Sequence, residues 1–255
     1  MSVAQRSPVT SHTPDETLRQ TIQRLSGAQK TSKGAPAYSR FINRKAGRLI
    51  AAVAYHCHLT PNAVTLISAG WSLAGIALLV FGSPTTALGI VVTLCLAIGY
   101  AFDSADGQLA RLRGGGSPAG EWLDHVVDSG KICALHLAVL VSFYRAGDSA
   151  RELLVPLVWT WVASVLFFVI ILNDQLHRVR GTAPAKDAAA PVLRSLLVAP
   201  TDYGVLLLTF VLIGQHQLFL WVYGLLLVAN IAYLAAGLAK WFRALSHPPT
   251  TGVTA

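Results

Sequence analysis

Charge is what this sequence lacks most. Asp, Glu, Lys and Arg make up 13% of its 255 residues, while 53% are apolar and fall in long blocks. A soluble domain typically carries roughly 25% charged residues, so a chain this poor in charge does not read as one with an ordinary water-facing shell. An α-helix crosses ~30 Å of hydrocarbon with about twenty apolar residues at ~1.5 Å each, and the apolar blocks are of that length. Cysteine is also scarce. Cys57, Cys95 and Cys133 are isolated, odd in number and without metal-ligand spacing, which argues against a disulfide framework and a thiolate metal site. Two of them fall in apolar stretches, where Cys acts as a small hydrophobe. The first thirty-odd residues are polar with no apolar core, so no cleavable signal peptide is expected. Internal repeats and low-complexity tracts are missing as well.

The charges that remain are unevenly placed. The net charge is +8, and nine of the twenty Lys/Arg residues precede residue 60. Most others sit in short connections between apolar blocks, the pattern that marks the cytoplasmic side of a membrane protein and attracts anionic headgroups. No nucleic-acid-binding module is recognisable, so nucleic acid is not an expected partner. Residues 1–35 read as a flexible cytoplasmic tail with a short helix near 13–30, where Pro14, Asp15 and Glu16 suit a first turn. Over 36–58, Tyr38, Phe41, Ile42, Leu49, Ile50 and Val53 recur at helical spacing, with Arg40, Arg44 and Arg48 on another face. That pattern predicts a juxtamembrane helix lying in the interface.

Six spans are expected, near 61–82, 86–110, 119–143, 152–173, 200–214 (or starting nearer 196) and 217–242. The turns at Gly82-Ser83-Pro84 and Gly214-Gln215-His216 hold no Lys or Arg. The opposite ends carry Arg111 and Arg113, then Arg178, Arg180, Lys186 and Arg194, then Lys240 and Arg243. Both termini are therefore expected in the cytoplasm. The loop after the third span, with Arg145 and Arg151 beside Asp148 and Glu152, fits this rule less well. The expected fold class is all-α: a polytopic protein of the cell membrane, with six transmembrane helices preceded by an interfacial helix. Residues 36–245 would form one membrane domain and 246–255 a disordered end.

Acid is rare, and it is concentrated. Of twelve Asp and Glu residues, Asp103, Asp106, Glu121, Asp124 and Asp128 lie between 103 and 128, at the cytoplasmic ends of the second and third spans. Charges at membrane depth are costly and persist mainly where they are paired or functional. Asp103, Asp106, Gly107 and Ala110 are three or four apart, so one helical face presents two carboxylates flanked by small residues. Asp124 and Asp128 lie one turn apart on the next helix. Gly114, Gly115 and Gly116 make a tight hairpin between them, with Ser117 a candidate cap and Pro118 suited to a first turn. Four clustered carboxylates need protons or cations for compensation. Hard oxygen ligands suit Mg²⁺, Mn²⁺ or Ca²⁺, Mg²⁺ commonly bridges carboxylates and phosphates, and a pair of such ions could clamp a displacement at phosphorus. Arg111 offers a forked donor for phosphate.

These residues resemble the signature of the CDP-alcohol phosphotransferase (CDP-alcohol phosphatidyltransferase) family, D-x2-D-G-x2-A-R-x8-G-x3-D-x3-D. All its fixed positions are filled, by Asp103, Asp106, Gly107, Ala110, Arg111, Gly120, Asp124 and Asp128. The resemblance covers roughly 36–242. It implies an enzyme that transfers a phosphatidyl or other substituted phosphoryl group from a CDP-linked lipid donor, expected to be CDP-diacylglycerol, to an alcohol hydroxyl, releasing CMP in phospholipid synthesis. It further implies two Mg²⁺ or Mn²⁺ ions on Asp103, Asp106 and Asp124, with Asp128 as general base and a further metal contact. Gly107 and Ala110 would face the cytidine, Arg111 the donor phosphates, and Asn62, Thr65, Ser117 and Gly120 the donor site. A homodimer is implied too.

For the small polar acceptor, the polar run from Asn173 to Arg180 suggests a basic pocket of His177, Arg178 and Arg180; ordinary positive-inside charge is the plainer reading of the same residues. The Lys/Arg-rich run with a following Glu found in members that use inositol phosphate is not evident, which makes that acceptor less favoured. Two competing classes are a Mg²⁺-dependent intramembrane prenyltransferase, whose aspartates lie in two clusters on separated helices, and a divalent-cation transporter, which would ignore CDP.

Overall fold

The computed structural model describes residues 16–27, 36–181 and 199–246. Helix α1 (Leu18–Gly27) comes first, then a π-helical turn (Ser39–Asn43) running into α2 (Arg44–His56). The long helices α3 (Pro61–Phe81), α4 (Thr86–Leu112), α5 (Pro118–Ala146) and α6 (Ala150–Val179) follow. After a 3₁₀ turn (Ala199–Thr201) come α7 (Tyr203–Thr209), a second 3₁₀ turn (Phe210–Leu212) and α8 (His216–Ser246).

Caps set these boundaries. Thr60 Oγ1 accepts from the Ala63 N–H at 3.1 Å, with Pro61 opening α3. Ser117 Oγ accepts from the Gly120 N–H at 3.0 Å, with Pro118 opening α5. Ser149 and Glu152 form a reciprocal capping box at the start of α6. Between α4 and α5, Gly114 (φ +94°) and Gly115 (φ +128°) take backbone conformations that disfavour a side chain, which lets the hairpin reverse in a few residues.

The chain is all-α, with five helices long and apolar enough to cross a membrane among the described residues: α3, α4, α5, α6 and α8. Their outward faces carry Leu66, Leu73, Leu94, Trp161, Phe168, Trp221 and Leu225, all exposed, as suits contact with acyl chains. The stretch expected as a fifth span differs from the others. Its apolar helix, Tyr203–Leu212, is too short to cross by itself, and residues 182–198 lie outside the described residues. This short helix packs between α4 and α8, its last turn seated where Gly89 has no side chain against the Phe210 carbonyl.

Within the N-terminal segment, residues 16–27 are described. Leu25 and Thr21 of α1 are buried against α2, and the Thr21 hydroxyl lies 3.1 Å from His56 Nε2. The rest of 1–35, and residues 247–255, lie outside the described residues. The π-helical turn and α2 cross α4 with Phe41 and Ile42 of the turn and Leu49 and Val53 of α2 turned outward, and with Gly47, Ala51, Ala52 and Tyr55 turned inward. The crossing is close because a Cβ on Gly47 would sit 2.7 Å from Ser104 Oγ.

Two apolar cores result. A larger one gathers Leu79, Leu96, Leu135, Val139, Trp159, Phe210, Phe219 and Tyr223. A smaller one gathers Leu25, Ala51, Ala52, Tyr55, Val64, Ala105 and Leu109. Polar side chains cluster where the two cores meet along α3 and α4: Thr65, Ser68 and Ser72 on α3, and Asp103 and Asp106 on α4. The site lies in that layer.

Candidate active site

The α4–α5 hairpin brings the aspartates together. One carboxylate oxygen each from Asp103, Asp124 and Asp128 lies within 4.8 Å of the others. Asp106 stands beside this trio. Buried at 6% exposure, it accepts a 2.6 Å hydrogen bond from Thr65 Oγ1 and a 2.5 Å bond from the Gly107 N–H. A cavity of about 220 Å³ opens here, lined by Arg44, Asp103, Ser104, Asp106, Gly107, Gln108, Arg111 and Asp124. Its wall thus combines three carboxylates with two guanidinium groups.

The donor-side positions expected from sequence fall on the same end of the molecule. Gly107 lines the cavity, and a Cβ there would meet only Arg111 Nη1, at 3.6 Å, so the space beside the carboxylates is open. Asn62, Ser117 and Gly120 meet at the start of α5: a Cβ on Gly120 would lie 3.1 Å from Asn62 Oδ1 and 3.2 Å from Ser117 Oγ. Ala110 packs beneath Gly116 of the hairpin. Thr65 holds Asp106.

Two of the proposed acceptor positions make contacts at the end of α6. Arg178 pairs with Glu121 at 2.6 Å and Asp174 at 2.8 Å, tying α6 to α5, and Arg180 donates to the Leu245 carbonyl at 2.9 Å. The structure therefore gathers the donor-side residues at one end of the molecule, and Arg178 and Arg180 are not among the residues lining this cavity.

Three features escaped the sequence. The largest is Lys131, whose Nζ lies 2.6 Å from Asp103 Oδ1, 2.7 Å from Asp128 Oδ1 and 3.4 Å from Ser68 Oγ. A signal was available, since Lys131 follows Asp128 by one helical turn inside an apolar span. The second is Arg44, which sequence periodicity assigned to the headgroup face. Close packing at Gly47, with Gln108 Nε2 donating to the Arg44 carbonyl at 3.2 Å, carries it to the cavity instead.

The third is a tyrosine wall one turn before Asp103. Tyr38 stacks on Tyr100 with centroids 6.2 Å apart, and Tyr100 meets Tyr203 edge-on at 5.1 Å. Asp202 secures it by accepting from the Ser39 N–H at 3.1 Å and the Gly204 N–H at 3.0 Å. Burial and the Asp202 charge push the Tyr38 hydroxyl pKa up.

Chemically, the donor set is all oxygen and anionic, which fits a hard divalent cation such as Mg²⁺ or Mn²⁺. Arg44 and Arg111 supply donors suited to phosphate oxygens on the same wall.

Two solved structures of the Mycobacterium tuberculosis phosphatidylinositol phosphate synthase share this fold. One, with CDP-DAG bound, has a TM-score of 0.54 and 21% identity over 79% of this chain and 94% of that one. The other, in complex with manganese and citrate, has a TM-score of 0.52 and 21% identity over 76% of this chain and 87% of that one. Comparison with curated protein sequences gives no match. The sequence profile of CDP-alcohol phosphatidyltransferases, however, matches residues 58–241, which include the whole acidic hairpin, and the chain belongs to that family.

Proposed function

We propose that this enzyme transfers the phosphatidyl group of CDP-diacylglycerol to the hydroxyl of a small polar alcohol, releasing CMP. The observation that carries this is the carboxylate trio of Asp103, Asp124 and Asp128 at the edge of a cavity that also presents Asp106, Arg44 and Arg111. Family membership supports the CDP-linked donor, and the CDP-DAG-bound relative of the same fold supports its lipid part. A cavity flanked by apolar helix faces suits such a donor, because the acyl chains stay in lipid while the headgroup reaches the polar layer.

Asp103, Asp106 and Asp124 would hold Mg²⁺ or Mn²⁺, two ions in the full complement, with Asp128 able to contribute. When bound, these cations neutralise charge on the diphosphate and make CMP a better leaving group. Arg111 and Arg44 would grip the donor phosphates. The open space beside Gly107 and Ala110 would take the cytidine, and Asn62, Thr65, Ser117 and Gly120 complete the donor side. Asp128 would take the proton from the acceptor hydroxyl as its oxygen attacks the phosphorus carrying the diacylglycerol group and the bond to the CMP oxygen breaks. The pairing of Arg178 with Glu121 and Asp174 favours an acceptor site nearer the cavity than the end of α6.

The asymmetry of basic residues supports a cell-membrane protein with both termini and the active site in the cytoplasm. Residues 36–245 would be the catalytic membrane domain, working as a homodimer, with 1–35 and 246–255 outside it. Incubating purified enzyme with Mg²⁺, CDP-diacylglycerol and a panel including glycerol phosphate, inositol phosphate and serine should release CMP with at least one acceptor and stop on chelation. Undiminished release after complete chelation, or no CMP with any alcohol, would refute the proposal.

A further inference from the structure

A lysine inside a membrane helix is costly unless its charge is matched. The Lys131 side chain is only 9% exposed, and its ammonium contacts groups from three helices: Asp103 on α4, Asp128 on α5 and Ser68 on α3. Asp106 and Asp124 line the cavity, and neither contacts Lys131. The Asp103–Asp128 side of the acidic site therefore already holds a buried ammonium in direct contact, while Asp106 and Asp124 face the cavity that Arg44 and Arg111 also line.

We propose that Lys131 is a resident cation of the site, a positioning residue that clamps Asp103 to Asp128 and competes with divalent ions for their oxygens. The inference rests on reading this site as a divalent-metal phosphotransfer centre. It differs from a purely structural role in the sign of one effect. If Lys131 only glues helices together, removing it lets the carboxylates splay, and metal binds no better. If it is a resident cation, removing one positive charge next to those oxygens leaves divalent ions unopposed, and they bind more tightly. The divalent ion should then also replace the lysine in holding the helices together.

The test is a Mn²⁺ titration by electron paramagnetic resonance on the purified full chain, comparing wild type, Lys131→Met and Lys131→Arg. At ammonium–carboxylate contact distance the lost charge is expected to tighten Mn²⁺ binding at least about tenfold in Lys131→Met, whereas Lys131→Arg stays within about threefold of wild type. Thermal unfolding gives a second readout. Lys131→Met should melt lower than wild type without metal and gain more from saturating Mn²⁺. Unchanged or weaker Mn²⁺ binding in Lys131→Met overturns the proposal, and so does a Lys131→Met chain that stays unfolded in saturating Mn²⁺. Adding Lys131→Met to Asp128→Asn leaves one carboxylate fewer without its partner, and the same tightening relative to Asp128→Asn alone is expected. A wild type that binds no Mn²⁺ and releases no CMP defeats the functional reading along with this one. Wild-type Mn²⁺ binding and CMP release with no tightening in Lys131→Met defeats this one alone.

Discussion

Replacing Thr65 by valine removes one hydroxyl from a fully packed position and little else. Thr65 is 3% exposed, and its Oγ1 lies 2.6 Å from Asp106 Oδ2 and 3.1 Å from the Pro61 carbonyl. With a single proton to give, the hydroxyl favours the carboxylate, the stronger acceptor. Valine keeps the β-branched shape and the rotamer preference of a helix interior, and the α3 cap at Thr60 is untouched. Asp106 then retains only the Gly107 N–H as a donor. A hydrogen bond to a charged group contributes about 1.5–3 kcal/mol. At ~1.4 kcal/mol per factor of ten, the variant should lose roughly 10- to 100-fold in kcat/KM if Asp106 must be held in place for the reaction.

Initial rates of CMP release against CDP-diacylglycerol concentration, at saturating Mg²⁺ and acceptor, measure this directly. Thr65→Ser, which restores the hydroxyl, should stay within about threefold of wild type. Thr65→Val with kcat/KM within about threefold of wild type, in protein of unchanged melting temperature, would refute the claim that the orientation of Asp106 matters.

Two further substitutions probe the site and its support. Asp128→Asn should lower turnover by at least about 10³-fold while leaving CDP-diacylglycerol binding largely intact, and near-normal rates would remove Asp128 from the base role. Asp202→Ala strips the buried acceptor from the Ser39 and Gly204 amides. Two bonds to a charged acceptor make a loss of about 2–4 kcal/mol reasonable, read in detergent as a melting temperature lower by at least about 4 °C. An unchanged melting temperature would mean that Asp202 does not anchor the juxtamembrane turn.

The sequence by itself determined the helices and the acidic hairpin. Apolar blocks of spanning length leave a backbone in lipid no alternative to internal hydrogen bonding, so α3, α4, α5, α6 and α8 follow from composition. Asp103 and Asp106 on one helix, Asp124 and Asp128 on the next, and the glycine turn between them are local facts of spacing, and so is the family signature they form. Tertiary structure decided everything that depends on how one helix is rotated and set against another. Lys131 reaches Asp103 because α3 packs against both α4 and α5 and sets the two in one particular register. Arg44 reaches the cavity because Gly47 lets α2 close on Ser104. Asp106 turns to Thr65 of α3, and Arg178 turns to Glu121 of α5. The short apolar helix Tyr203–Leu212 packs against α4 at Gly89 and against α8. Periodicity in a sequence fixes which residues share a face. Which face meets which is set by the summed packing of small and large side chains far apart in the chain, and no local window of sequence contains that information.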